Sequence, residues 1–367
     1  MIIIEECLSQ KLPTRTSLYF KLSSYNQSLF DLLVQTQDSD YNSKTGIFEF
    51  PINRLYFLIN LLSKYDLVEF KPYKEKNKKL IDISGIKFKP KLYRHQLEGV
   101  EYGVNHNGWL LLDDQGLGKT LQVICLAEAL YKKENLKHCL IICGVNGLKW
   151  NWAEEIAKFS KLDYKILGQT ITKTGKVRIK SVAERCKELK AGIKEFFVIT
   201  NIETLQHKEF YNAFQKSKST FDMIVLDEAH KCKNPSSKSA KTLLKLKSKR
   251  NIALSGTIIV NDPENAYIPL KWTGNTQSTY SKFKSIYNVY GGFGGVQVIG
   301  YKNLELLNEL ILSCSLRRLK SQVLDLPPKI YKTEYVDLKD SQRKLYNEVA
   351  VGIAEQLDKL GRKPTII

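Results

Sequence analysis

No stretch of the 367 residues is apolar for long enough to cross a bilayer. The cleanest runs, 109–112 (WLLL) and 140–143 (LIIC), fall far short of the roughly 20 residues a spanning helix needs. The first six residues, MIIIEE, carry no basic cluster and end in two acids, so no secretory leader is expected there. The seven cysteines (Cys7, Cys125, Cys139, Cys143, Cys186, Cys232, Cys314) form no CxxC pair, and the five histidines are scattered. Neither a disulfide scaffold nor a zinc site is signalled, which suits a reducing, intracellular setting. Internal repeats are lacking too. A hydrophobic content of 43% with 26% charged residues excludes wholesale disorder. At about 150 residues per domain, the length suggests two or three domains.

What is present in excess is positive charge. Lys and Arg number 57 against 38 Asp and Glu, a formal +19. Residues 91–260 hold 29 basic against 17 acidic groups, so most of the excess lies in the middle of the chain. One basic segment of this kind is the electrostatic footprint of a nucleic-acid binder, although composition alone is equally compatible with a merely lysine-rich protein.

Residues 1–85 read as a separate small α+β module. Within it 17–22 (SLYFKL) and 46–50 (GIFEF) are predicted strands, and 55–65 is a predicted helix. The charged stretch 73–80 (YKEKNKKL) reads as a turn or linker. From residue 92 the rhythm becomes short apolar strands alternating with helices: 109–113, 138–143, 196–200, 223–227 and 251–255 are strands, with helices over 119–131, 150–159, 237–246 and 264–272. Unbroken apolar strands separated by helices predict a doubly wound α/β domain, its parallel sheet covered on both faces. The glycine-rich 291–295 (GGFGG) is expected to be a flexible loop.

The loop 113–120 reads DDQGLGKT, directly after WLLL and directly before a helix. A glycine-rich loop and the first-turn amides of a helix converge on anionic oxygens. Gly116 and Gly118 would let the backbone approach, Lys119 would reach the terminal phosphates, and Thr120 would offer its hydroxyl to Mg²⁺. Asp113 stands where the usual motif has glycine. At 227–230, DEAH closes the strand MIVL, and ligands of open α/β sheets bind at strand C-termini. Asp227 is expected to hold Mg²⁺ through its water shell, and Glu228 to orient and deprotonate the attacking water. Either acid alone could be a helix cap; both half-motifs in order carry the reading. SGT at 255–257 follows a third strand, NIAL. Alone it is an ordinary turn, but beside a phosphate pocket its hydroxyls could couple the nucleotide to other surfaces.

Together these segments resemble the first motor lobe of the Swi/Snf-type ATPases of helicase superfamily two, over about 92–346. LYRHQLEGV (92–100) resembles the adenine-reading Q motif, with Gln96 its key residue and Arg94 beside it. An aspartate at the first loop position is that family's own form, and the resemblance brings Asp114, Gln115 and Leu117 into the nucleotide site. The segment 140–156 resembles motif Ia, with Gly144 where proline is usual. VITNIETL (198–205) resembles motif Ib, and 254–267 resembles motif III, with Ile258 in place of proline. His230, Ser255 and Thr257 are the implied coupling residues. Residues 300–310 and 315–329 (SLRRLKSQVLDLPPK) are most similar to the HepA-related annealing-helicase branch, and 43–62 resembles its substrate-recognition module.

The resemblance implies a RecA-like doubly wound parallel sheet at 86–334, preceded by the accessory module at 1–85 and followed at 335–367 by a linker or the start of a second lobe. It implies ATP and Mg²⁺ as ligands, duplex or forked DNA as partner, no membrane association, and a DNA-dependent ATPase that translocates on DNA. The second RecA-like lobe, with the arginine that stabilises transition-state charge, is expected to begin near 335–337 and to lie mostly outside these residues, so full activity is not expected of this chain alone. The alternatives are a non-catalytic DNA-binding fragment or an RNA helicase; the latter fits less well, because GLGKT, KNPSSK and LRRLK belong to the DNA-translocating group. Lys, Ile and Asn richness suggests a bacterial or phage source and a cytoplasmic location, or a nuclear one in a eukaryote.

For DNA, motifs Ia, Ib and III point to residues 145–148 with Lys149, to Thr200 and Asn201, and to Asn261. Small polar side chains and backbone amides suit sequence-blind phosphate tracking, although ordinary loop hydrogen bonding would use the same groups. Residues 231–250 contain eight basic groups and no acid. Lys238, Lys241 and Lys245 fall at helical spacing on one face, which could be a DNA-facing stripe or a solvated surface. Trp150 and Trp152 read as packing residues, and Asp222 and Glu195 as caps.

Overall fold

The computed structural model describes residues 1–8, 16–22, 24–36, 39–51, 54–71, 80–171, 176–325, 332–334 and 336–359. These form two compact units, 1–324 and 325–367. Most of the stretch read as a linker (73–79), and residue 335, lie outside the described residues.

The chain opens with β1 (Ile2–Leu8), β2 (Thr16–Phe20), α1 (Gln27–Gln35), β3 (Asp40–Asn42), β4 (Ile47–Pro51), α2 (Leu55–Leu62) and β5 (Val68–Lys71). The five strands make one sheet in the order β3-β4-β2-β1-β5, antiparallel except for the β1–β5 pair. Alternation places Ile2, Ile4, Leu18, Phe20, Phe48 and Phe50 on one face, where Leu29, Leu33, Leu58 and Leu62 of the helices cover them. This small α+β module has its own core.

The second part of the first unit runs α3 (Arg94–Asn105), β6 (Gly108–Leu111), α4 (Lys119–Glu134), β7 (His138–Cys143), α5 (Leu148–Phe159), β8 (Tyr164–Ile166), β9 (Gln169–Ile171), β10 (Val177–Ile179), α6 (Val182–Ala191), β11 (Phe197–Asn201), α7 (Lys208–Gln215), β12 (Phe221–Asp227), α8 (Lys238–Leu243), β13 (Arg250–Leu254), α9 (Tyr267–Trp272), α10 (Tyr280–Tyr287), β14 (Asn288–Gly291), β15 (Gln297–Tyr301), α11 (Leu304–Ser313), β16 (Ser315–Leu316) and α12 (Lys320–Val323). Seven strands form an all-parallel sheet ordered β16-β6-β13-β12-β7-β11-β8. Period-two alternation sends Leu110, Leu140, Ile142, Val198, Ile224, Leu226 and Ala253 into one core, and Leu111, Ile141, Ile199, Val225, Ile252 and Leu254 into the other. Helices α3, α4 and α5 cover the second face. The doubly wound expectation is borne out. The second unit contains α13 (Asp340–Lys359). Among the described residues no helix is long and apolar enough to cross a membrane.

Two local expectations need correction. The helix read over 264–272 divides into a 3₁₀ turn at Pro263–Ala266, capped by Asp262, and the short α9. The basic helix ends at Leu243, so Lys245 lies beyond it and shares no helical face with Lys238 and Lys241. The glycine-rich 291–295 closes a hairpin between β14 and β15 through a one-turn 3₁₀ segment with Gly292, Gly294 and Gly295 at positive φ.

Candidate active site

Strands β6, β13 and β12 are consecutive in the sheet, and their C-terminal ends carry the phosphate-type loop, the SGT turn and DEAH in that order. Adjacency of strand ends thus gathers segments separated by more than 100 residues in sequence. Gly116 and Gly118 have φ of +82° and +76°, a region that side chains disfavour. A Cβ on Gly118 would also lie 2.4 Å from Gln96 Nε2. Leu117 between them is buried and pins the loop. Its carbonyl accepts from Gln96 Nε2 at 3.3 Å and from Gln122 Nε2 at 3.4 Å. His95 Nε2 lies 3.1 Å from the same oxygen; a carbonyl only accepts, so that nitrogen carries the proton.

Lys119 begins α4, and its Nζ donates to the carbonyls of Asp113 (2.7 Å) and Asp114 (3.2 Å). Burial pulls its pKa below the usual lysine range despite the opposing pull of Glu228, Asp113, Asp227 and Asp114. Thr120 is its half-buried neighbour in the first turn. Gln115 and Gly116 are exposed at the loop tip. Gln96 is buried against the loop, its Oε1 accepting from the Tyr93 amide at 3.0 Å. Arg94 is exposed and pairs with Glu98 at 3.0 Å.

Asp227 ends β12. Its Oδ1 accepts from the Glu228 amide at 2.9 Å, and its Oδ2 from the indole Nε1 of Trp152 at 2.8 Å. Burial is the largest influence on this carboxyl and raises its pKa; the Trp152 hydrogen bond opposes it. Glu228 sits in the left-handed region (φ 50°, ψ 52°), strain that a glutamate bears only when its surroundings fix it. Gly144 explains how this backbone fits. Its amide donates to Asp227 O at 3.0 Å, and a Cβ there would come within 2.9 Å of Asp227 O, Glu228 Cβ and Glu228 O. Proline, usual in the resembled motif, would both lose that donor and fill that space.

Glu228 Oε2 lies 3.2 Å from His230 Nδ1, which also lies 3.2 Å from Ser255 Oγ. Ser255 Oγ spends its proton on Thr257 O at 2.6 Å and accepts from the Thr257 amide at 3.2 Å. Toward His230 the hydroxyl therefore accepts, and Nδ1–H is shared between Glu228 and Ser255. DEAH and SGT are joined in one network.

Sequence reasoning missed two partners. Asp113 is fully buried and is held by Arg318: Nε to Oδ1 at 2.9 Å and Nη2 to Oδ2 at 2.7 Å. Arg318 also donates to Gln122 Oε1 (3.0 Å) and to the His95 carbonyl. The aspartate in place of glycine was the available signal, since a buried acid demands a cationic partner. Trp152 is the second. It packs as expected, yet its N–H also reaches Asp227.

The expected DNA contacts divide differently. Lys149 is 4% exposed, Thr200 0% and Asn201 7%, so these side chains face inward. Asn201 donates to Glu203 and accepts from Thr204 Oγ1 at 2.7 Å. What these positions can offer a phosphate is backbone, together with the exposed loop 145–147 and the exposed Asn261. Lys238, Lys241 and Lys245 are exposed, and Lys245 Nζ lies 5.6 Å over the Tyr211 ring. Two of the eight basic groups are committed within the fold. Lys249 pairs with the buried Asp222 at 3.0 Å, and buried Arg250 pairs with Glu134 at 2.9 Å and donates to the Gly103 and His106 carbonyls.

Comparison with known proteins gives a consistent picture. The model of the SNF2-related domain matches residues 16–363. The chain is 30% identical over 263 residues to the DNA excision repair protein ERCC-6-like of Danio rerio, covering 64% of this chain and 16% of that protein. It is 28% identical over 297 residues to the DNA annealing helicase and endonuclease ZRANB3 of Bos taurus, covering 78% and 26%. With an uncharacterized ATP-dependent helicase of Mycoplasma pneumoniae the identity is 27% over 332 residues, covering 87% and 30%. Among solved structures, the Sulfolobus solfataricus SWI2/SNF2 ATPase core in complex with dsDNA superposes with a TM-score of 0.51 at 27% identity, covering 79% of this chain and 57% of that one. The chain thus spans less than a third of these curated relatives.

Proposed function

The chain belongs to the SNF2-related family, and from that premise we propose that it is the ATP-binding lobe of a DNA-translocating motor. The observation that carries this reading is the convergence of a positive-φ glycine loop and Lys119 with Asp227 and Glu228 on neighbouring strand ends. Gly116–Lys119 amides and the Lys119 ammonium bind the β- and γ-phosphates. Gln96, buried beside the loop, is the adenine-side residue. Thr120 and Asp227 supply hard oxygen donors suited to a Mg²⁺ ion that keeps part of its water shell. When bound, that ion neutralises charge on the phosphates. Glu228 orients a water for in-line attack on the γ-phosphorus and accepts its proton, while His230 ties Glu228 to the SGT turn.

Duplex or forked DNA is the proposed partner. The exposed 145–147 loop, Asn261 and the lysines at 238, 241 and 245 offer the contacts. A second lobe supplies the remaining transition-state charge when DNA closes the cleft. Lys119→Ala is expected to abolish nucleotide binding. Glu228→Gln is expected to preserve binding and to lower turnover by several orders of magnitude. Both are checked by equilibrium binding and by steady-state ATPase, with and without forked DNA, on this chain and on a form carrying both lobes. Normal ATPase from either variant in the two-lobe form would sink the assignment.

A further inference from the structure

The segment that leaves the sheet after β16 does not simply pass the phosphate loop; it is sewn to it. Leu110 N donates to Cys314 O (3.0 Å), Leu112 N to Leu316 O (2.7 Å) and Asp114 N to Arg318 O (3.0 Å). In return the amides of Arg318 and Lys320 donate to Asp113 Oδ1 (3.1 Å) and Asp114 Oδ2 (3.0 Å). The ladder therefore continues from β6 into the loop itself, locked by the bidentate Arg318–Asp113 pair. This fixes the backbone of Lys320 beside the loop tip. Its side chain then lies across Gly116: Cε and Nζ are both 3.4 Å from the point where a Cβ on Gly116 would stand. Lys320 is exposed, and among the described residues no carboxylate lies within ion-pair reach of its ammonium.

We propose that Lys320 is a second phosphate-binding cation of the nucleotide site, contributed by the segment that leads out of the lobe. The proposal rests on reading the loop as a nucleotide site. Lys119 begins the helix after the loop and feels the charges of Asp113, Asp114, Asp227 and Glu228, whereas the Lys320 ammonium lies against Gly116 at the loop tip without an ion-pair partner among the described residues. A polyphosphate carrying several negative charges has use for both. Asp114 also changes role: its carboxylate fixes the Lys320 amide rather than facing the ligand.

The test is binding of fluorescent ATP and ADP, with Mg²⁺, to the 367-residue chain and to Lys119→Ala, Lys320→Gln and Lys320→Arg. Lys320→Gln is expected to weaken binding about tenfold, the low end for loss of a charge-assisted hydrogen bond at an exposed site, with an unchanged melting temperature. Lys320→Arg is expected to stay within about twofold of the parent, since guanidinium also binds phosphate. If the parent binds and Lys119→Ala does not, but Lys320→Gln binds as the parent does, this proposal alone is overturned. If the parent does not bind nucleotide, the nucleotide reading fails and takes this proposal with it. Equal weakening by Gln and Arg would likewise refute a charge contact.

Discussion

The indole of Trp152 gives Asp227 a neutral donor at 2.8 Å, on a carboxyl that burial otherwise pushes toward protonation. The second oxygen is held by the Glu228 amide, so the carboxylate plane is fixed before any cation meets it. Partners of this kind outside the metal's own ligands are worth roughly 10- to 100-fold in metal affinity or activity. Trp152→Phe keeps most of the buried ring and deletes the donor. The Mg²⁺ concentration for half-maximal ATPase in the two-lobe form is expected to rise about tenfold, with Mg²⁺-free nucleotide binding little changed. A Mg²⁺ titration at saturating ATP measures this, and an unmoved midpoint would reduce Trp152 to packing. The donor was not legible in sequence, because 75 residues separate the pair and an apolar helix face accounts for a tryptophan without it. Gly144 was visible as an anomaly, yet its reason appears only where the backbone of Glu228 turns left-handed beside it.

At the scale of elements, the strands of the parallel sheet were legible because burial on both faces leaves continuous apolar runs, and short buried strands admit few other readings. Helix ends were less so. The chain after Leu243 must turn into β13, where Arg250 is drawn inward by Glu134 and two carbonyls, and that tertiary demand ends α8 before its lysine spacing does. Edge strand β16 is two residues long and carries no pattern to read; its place comes from hydrogen bonds to β6 and from Arg318 reaching Asp113 across 205 positions. Because Asp113 is fully buried, removing one partner strands the other's charge, at a cost of about 3–5 kcal/mol. Arg318→Met and Asp113→Ala should each lose stability of that order. The double variant should lose little more than either, which urea unfolding followed by tryptophan fluorescence can measure. Strict additivity would mean that the pair does not hold β16 and the loop together.

At the scale of the whole molecule, the +19 charge is partly internal scaffolding. Arg250 is buried and anchors β13, and exposed Lys249 is paired with buried Asp222, so a run of eight basic groups overstates the charge left unpaired at the surface. Lys238 and Lys241, on the outer side of α8, and Lys245 beyond its end are exposed, as are Lys231 and Lys247, and can meet a phosphate backbone. Counterion release then makes log K fall linearly with log salt, by about 0.9 for each duplex phosphate neutralised. The parent chain should bind duplex DNA with a steep salt slope. Each of Lys238→Ala, Lys241→Ala and Lys245→Ala should make that slope shallower by roughly 0.9 if its lysine meets a phosphate. Lys249→Ala is the internal control. It leaves buried Asp222 with the Lys137 amide as donor but no cation, so it should lower thermal stability and leave the slope in place. Fluorescence anisotropy across a salt series separates the two classes. Affinity that stays flat with salt would remove DNA attraction as the use of this charge while leaving the Lys119–Asp227–Glu228 site as it is, because that site rests on strand-end geometry and not on net charge.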